Sequence, residues 1–151
     1  MSRTRSIRIC VILLILNLCF IWGNSLLPAE ASQTLSDSLL EFLPDFSEGV
    51  SASPRESGVI RKIAHFTEFT ALGLLLAWLS VLLQRKCRYL LPLGVAAACA
   101  DECIQFFVPG RSPGILDVAI DAWGLLTGML LLQIGHFYVR RKQPKQYGGK
   151  Q

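Results

Sequence analysis

No CxxC pair occurs in this chain, and its cysteines are odd in number: Cys10, Cys19, Cys87, Cys99 and Cys103. That excludes the framework of a small secreted disulfide scaffold. All five lie within or beside apolar blocks, so they are expected to be small buried apolar residues. No HExxH or other metal-specific spacing is present, so no motif assigns a metal, and no cofactor is expected. No internal repeat stands out. Charged residues make up only 17% of the chain, and the formal net charge of +4 is not gathered into one basic patch. The basic residues sit at the ends of apolar blocks, which argues against nucleic acid and for lipid headgroups. At 151 residues, one domain is the default.

What is there is hydrophobic: 52% of the residues, concentrated in blocks at residues 7–27, 63–83, 89–108 and 115–139. Crossing a hydrocarbon core takes about 20 helical residues, and a spanning segment must be helical because lipid cannot satisfy an open strand. The expected fold is an all-α membrane protein, an antiparallel bundle of four transmembrane helices within a membrane domain over residues 7–139. Acids are missing from three segments. These carry Arg3, Arg5 and Arg8; then Arg85, Lys86 and Arg88; then Arg140, Arg141, Lys142, Lys145 and Lys150 in the basic tail 140–151. All three fall on one side of such a bundle, and the positive-inside rule makes both termini cytoplasmic. The loop 28–60 on the other side holds Glu30, Asp37, Glu41, Asp45, Glu48 and Glu56 against Arg55 alone.

Within that loop Leu35, Leu39, Phe42, Leu43 and Phe46 follow helical spacing, which predicts a short amphipathic helix on the outer surface, and "SEGVSASPRESG" reads as a flexible linker. The opening "RTRSIR", an apolar run and "AEA" also resemble a cleavable signal peptide, but the run is longer than a usual h-region. An uncleaved first helix is the preferred reading. Trp22, Tyr89 and Tyr138 are expected at the membrane interfaces, as is His136 near the cytoplasmic end.

The polar residues inside the blocks carry the chemistry. The second block opens with Arg61, Lys62, His65 and Glu68; Arg61 and His65 are four apart and His65 and Glu68 three apart, so they share a face. The third closes with Asp101, Glu102 and Gln105, again one face, followed by Arg111 in the turn. In the fourth, Asp117, Asp121, Gly124 and Gly128 form a single stripe whose GxxxG suits close helix packing. Rising 1.5 Å per residue, all these groups lie about 5–15 Å below the outer surface. Facing lipid would cost about 2.5–3.5 kcal/mol per charge, so they should face each other in a pocket open to the outer side. Arg61, Lys62, His65 and Arg111 are the available counter-charges.

"RKIAHFTEFTALG", "ADECIQFFVPGR" and "DVAIDAWGLLTG" resemble the three sequence blocks of the VanZ-like family, and "FIWGNS" is similar to that family's opening span. Where the family often has a serine pair, this chain has Asn24 and Ser25. The resemblance covers most of residues 7–135. It implies a multi-pass protein of the bacterial plasma membrane and cell envelope, in a family whose named member is associated with low-level resistance to the glycopeptide teicoplanin. It implies a class more than a mechanism.

Three functions remain open on the residues. In the first, Arg61, Lys62 and Arg111 hold a phosphorylated lipid headgroup or a lipid-linked cell-wall precursor, while the carboxylates take an ammonium or sugar hydroxyls. In the second, the same groups serve an intramembrane enzyme, with His65 or Glu102 as the acid–base residue or with a carboxylate-bound divalent metal. In the third, the polar cluster only locks the helices together and function lies with protein partners. Binding is preferred to catalysis. The expected partners are membrane lipids and a wall precursor or glycopeptide. A homo-oligomer stays open, because four helices are few for alternating access in one chain.

Overall fold

The computed structural model describes residues 2–28, 30–32, 34, 54–111 and 114–142, with the side chains of residues 54–58 excepted. The amphipathic helix expected from Leu35 to Phe46 lies outside the described residues, as does the tail beyond residue 142. Four α-helices carry the described structure, and no strand occurs among the described residues.

The first helix, α1, is Arg3–Ser25. Ser2 caps it by accepting a hydrogen bond from the Arg5 backbone N–H. The second, α2, is Pro54–Leu82. It begins well before the apolar run at residue 63, so residues 54–58 of the expected linker are helical. Pro54 suits a first helical position, where its missing N–H has no partner to lose. At its other end the chain leaves α2 through a Schellman motif. Arg85 N–H donates to Ser80 C=O and Gln84 N–H to Val81 C=O, with Gln84 itself at φ 55°.

The third helix, α3, is Leu91–Phe106, with Pro92 in its first turn. It is shorter than the expected 89–108, because Cys87–Tyr89 forms a separate 3-10 turn and the chain turns at Pro109 and Gly110, the latter at φ 76°. Sixteen residues reach about 24 Å, less than a hydrocarbon core of about 30 Å. The fourth, α4, is Ile115–Lys142; Asp117 in its first turn and Arg140, Arg141 and Lys142 in its last suit the helix dipole. Three helical stretches are long and apolar enough to cross a membrane: Arg3–Ser25, Val59–Leu82 and Ile115–Lys142, with mean hydropathy of 2.2, 1.4 and 1.8.

The closest pairing is α2 with α4. A Cβ placed on Gly124 would strike the backbone of Phe66, one on Gly128 the backbone of Thr70 and Leu74, and one on Gly73 the backbone of Leu125. Hydrogen at these positions lets the two helices run side by side in the same direction. The opposite direction holds for α1 and α2, since Arg3 Nε at the start of α1 donates to Leu82 C=O at the end of α2 (2.7 Å). The core is made by Cys10, Leu14 and Ile21 of α1, Phe69, Leu72 and Leu76 of α2, Ala97 and Ala98 of α3, and Leu125 and Met129 of α4.

Outside this core the usual distribution is reversed. Ile12, Ile15, Leu16, Phe20, Leu93, Phe106, Leu130 and Ile134 are exposed, whereas Asp101, Glu102, Gln105, Arg111 and Asp121 are buried. A water-soluble protein of this size does not hide its charges behind so broad an apolar surface; a lipid-facing one does. The same surface corrects two expectations. The five cysteines are free, but only Cys10 and Cys87 are buried, while Cys19, Cys99 and Cys103 lie on the apolar outside. Trp22 is also held within the helix packing, its indole N–H donating to Ala97 C=O (3.5 Å).

Candidate functional site

At one end of the molecule the last turn of α1, the first half of α2, the end of α3 and the start of α4 meet in a polar tier. Directly beneath it lie Ile21, Phe69 and Leu125, all fully buried. The Gly124–Phe66 contact sets the geometry, because it presses α4 onto α2 one residue after His65 and three residues after Asp121.

His65 stands at the middle. Its Nδ1 is 3.6 Å from Asp101 Oδ2 on α3 and 3.8 Å from Asp121 Oδ1 on α4. The spacing of Asp101 and Gln105 on one helix face yields a hydrogen bond, Gln105 Nε2 donating to Asp101 Oδ2 (2.8 Å). The same amide donates to Ser25 Oγ on α1 (3.2 Å). Glu102, though adjacent to Asp101, turns elsewhere: its Oε2 accepts the Gly114 backbone N–H (3.0 Å) and so ties the end of α3 to the start of α4. Glu68 Oε1 accepts from Asn24 Nδ2 of α1 (2.7 Å). At the rim, Lys62 pairs with Asp117 (3.5 Å), with side chains 46% and 28% exposed.

Arg111 is also tied to α1. It is buried, and it spends two donors on the carbonyls that end α1: Nε on Leu27 C=O (3.1 Å) and Nη2 on Asn24 C=O (3.0 Å). Asn24 C=O also accepts the Leu27 N–H (3.2 Å), and the guanidinium completes the capping of α1. Its Nη1 is left buried with no hydrogen-bond partner. Burial and nearby Arg61 lower its pKa from the ordinary value, while Asp101, Glu102 and Glu68 act to raise it. An arginine stays charged through such shifts.

All ten polar residues singled out in the sequence therefore sit in this tier: Arg61, Lys62, His65, Glu68, Asp101, Glu102, Gln105, Arg111, Asp117 and Asp121. Gly124 and Gly128 lie below it in the α2–α4 contact. His136 lines a separate cleft with Arg85, Arg88 and Arg140, at the far end. Asn24 and Ser25 belong to the tier but were not singled out as site residues. The available signal was two adjacent polar side chains closing a long apolar run.

Two cavities open here. One, about 10 Å³, is lined by Arg61, Lys62, His65, Glu102, Asp117 and Asp121 among others, and has room for a single water-sized guest. The other, about 290 Å³, is amphipathic: Phe20, Leu27, Ile60 and Ala64 give it an apolar wall, and Arg61, His65, Glu68 and Arg111 a charged one. His65 and Arg61 border both. The larger cavity is of headgroup size, near the lower limit of small-molecule pockets.

Compared with known proteins, residues 10–136 match a family model described as VanZ/LLP1. No curated protein and no solved structure matches the chain.

Proposed function

The chain belongs to the VanZ/LLP1 family, and from that premise we propose that it binds a phosphate-bearing lipid headgroup or lipid-linked envelope component at the outer end of a four-helix bundle. The bundle lies in a bacterial plasma membrane with both termini in the cytoplasm. Placing the basic segments on the inner side puts the polar tier at the outer leaflet.

The observation that carries this reading is the cleft of about 290 Å³ with one apolar and one charged wall. An acyl chain or lipid glycerol would lie along Phe20, Leu27, Ile60 and Ala64. Its phosphate would meet Arg61 and the unpartnered Nη1 of Arg111. Arg111 is anchored to α1 before any ligand arrives, so little side-chain entropy is lost on binding.

Native mass spectrometry in mild detergent, with phosphatidic acid as the probe, tests the reading. The wild type should retain about one lipid per chain. A charge-assisted hydrogen bond contributes about 1.5–3 kcal/mol, so Arg61→Gln should weaken retention by about 10- to 100-fold. A wild type that holds no lipid, or Arg61→Gln and Arg111→Gln variants that hold it equally well, would refute it. If the bound component is a wall precursor, raising the protein's abundance should shift teicoplanin susceptibility, measured as an inhibitory concentration.

A further inference from the structure

His65, Asp101 and Asp121 come from three different helices and converge on one point. One donor atom from each lies within 4.8 Å of the others. The His65 Nδ1 distances of 3.6 and 3.8 Å to the two carboxylates are too long for hydrogen bonds. They are close to the edge of a coordination tetrahedron, which is about 3.4 Å for metal–ligand bonds of about 2.1 Å.

A second, independent observation concerns what these groups lack. Asp101 is 0% and Asp121 1% exposed. Both Asp121 oxygens, Asp101 Oδ1 and His65 Nδ1 are buried without a hydrogen-bond partner. No lysine or arginine among the described residues forms an ion pair with either aspartate; Lys62 pairs with Asp117 and Arg111 with the carbonyls of α1. An unpaired ion so deeply buried costs several kcal/mol, and two together cost more. A protonated imidazole would compensate one of them and would draw that oxygen to within about 2.9 Å. A divalent cation compensates both.

We propose that His65 Nδ1 and one oxygen each of Asp101 and Asp121 ligate a four-coordinate divalent cation of the zinc class. One imidazole nitrogen with two carboxylate oxygens is a donor set for such a metal, whereas Mg²⁺ takes six oxygens in an octahedron. Two ionised aspartates and one dication leave the buried centre neutral. The fourth position faces the cavity of about 10 Å³ beside His65 and Asp121, which has room for one water. An open fourth position distinguishes this arrangement from a closed structural zinc site. Gln105 is a positioning residue: its bond to Asp101 Oδ2 aims that carboxylate. The inference does not depend on lipid binding, although His65 also borders the larger cleft and the cation would sit at its floor.

The test is metal binding by the full-length protein, stripped with chelator in mild detergent and titrated with Zn²⁺. About one Zn²⁺ per chain should bind and raise the thermal midpoint of the wild type. Exposed thiols at Cys19, Cys99 and Cys103 are the competing ligands, so Co²⁺ is used as a second probe; its spectrum should lack sulfur charge transfer. Asp121→Asn and His65→Gln should each lower affinity on the order of 100-fold or more, and Gln105→Leu by about 10- to 100-fold. No metal-dependent stabilisation of the wild type, a thiolate spectrum with Co²⁺, or unchanged affinity in folded His65→Gln would each overturn the proposal. Because no lipid is added, failure here leaves the headgroup reading standing, and the lipid measurement can fail without affecting this one.

Discussion

Substituting alanine for Gly128 adds one methyl group, and its consequence follows from what surrounds it. The new Cβ would overlap the backbone oxygen of Thr70 and lie 2.8 Å from the Leu74 nitrogen. Neither neighbour is a side chain that can rotate away. To reach ordinary contact the helices α2 and α4 must part by on the order of 1 Å, forfeiting dispersion along the seam. Overpacking of this kind costs about 1–3 kcal/mol, and the rigid backbone on the far side points to the upper half of that range. Gly135 on the same helix is the control, because nothing lies within 4 Å of its Cβ position. There alanine should stabilise by up to about 1 kcal/mol through helix propensity alone. Equilibrium unfolding in mixed micelles, with circular dichroism as the readout, should separate Gly128→Ala from Gly135→Ala by about 3 kcal/mol. Equal stability of the two would mean that α2 and α4 do not meet at this seam. Gly124→Leu, at the equivalent contact with Phe66, should also separate Asp121 from His65 and serves as a folding control.

Other expectations test single contacts. Asn24→Ala leaves Glu68 Oε1 without its donor and should cost about 1–3 kcal/mol in the same unfolding assay; a loss below measurement would place Asn24 outside the tier. Lys62→Gln removes a partly exposed ion pair and should change stability by less than about 1 kcal/mol, with added salt reducing the difference. Gln84→Gly relieves a left-handed backbone conformation whose cost is about 1–2 kcal/mol, so the thermal midpoint should rise; a fall would contradict the Schellman ending of α2. In metal-free protein, Asp121→Asn removes a buried charge whose oxygens have no hydrogen-bond partner, so the unfolding midpoint should hold or rise; a clear fall would mean that the carboxylate joins helices.

Much of the site could be read from the chain because helical geometry is local. The i, i+4 spacing of Asp101 and Gln105 led directly to their hydrogen bond. The cost of facing lipid told which residues must turn inward. The same reasoning was silent on direction within the pocket. Asp101 and Glu102 are neighbours, yet one faces His65 and the other reaches the Gly114 amide, since adjacent helical positions point about 100° apart. Arg111 was legible as a counter-charge, and Asp101, Glu102 and Glu68 do act on it, but its bonds to the carbonyls of Asn24 and Leu27 join segments far apart in sequence and were not legible. The start of α2 lies ahead of the expected apolar run, as Pro54 and the polar residues after it begin the helix with no apolar pattern to mark it.

By itself, then, the amino-acid order determined the helical class, three of the four stretches expected to cross a membrane, the family and the inward-facing polar set. These depend on composition and on contacts within a few residues, which are the same wherever the helix packs. Only the tertiary structure decided which of those polar groups meet. Asp121 approaches His65 because Gly124 admits the Phe66 backbone, and Asp101 joins them because the α3 terminus is tied to α1 through Gln105 and Ser25. Convergence of three donors from three helices is a property of distances between chain segments far apart in sequence, and no local pattern encodes those distances.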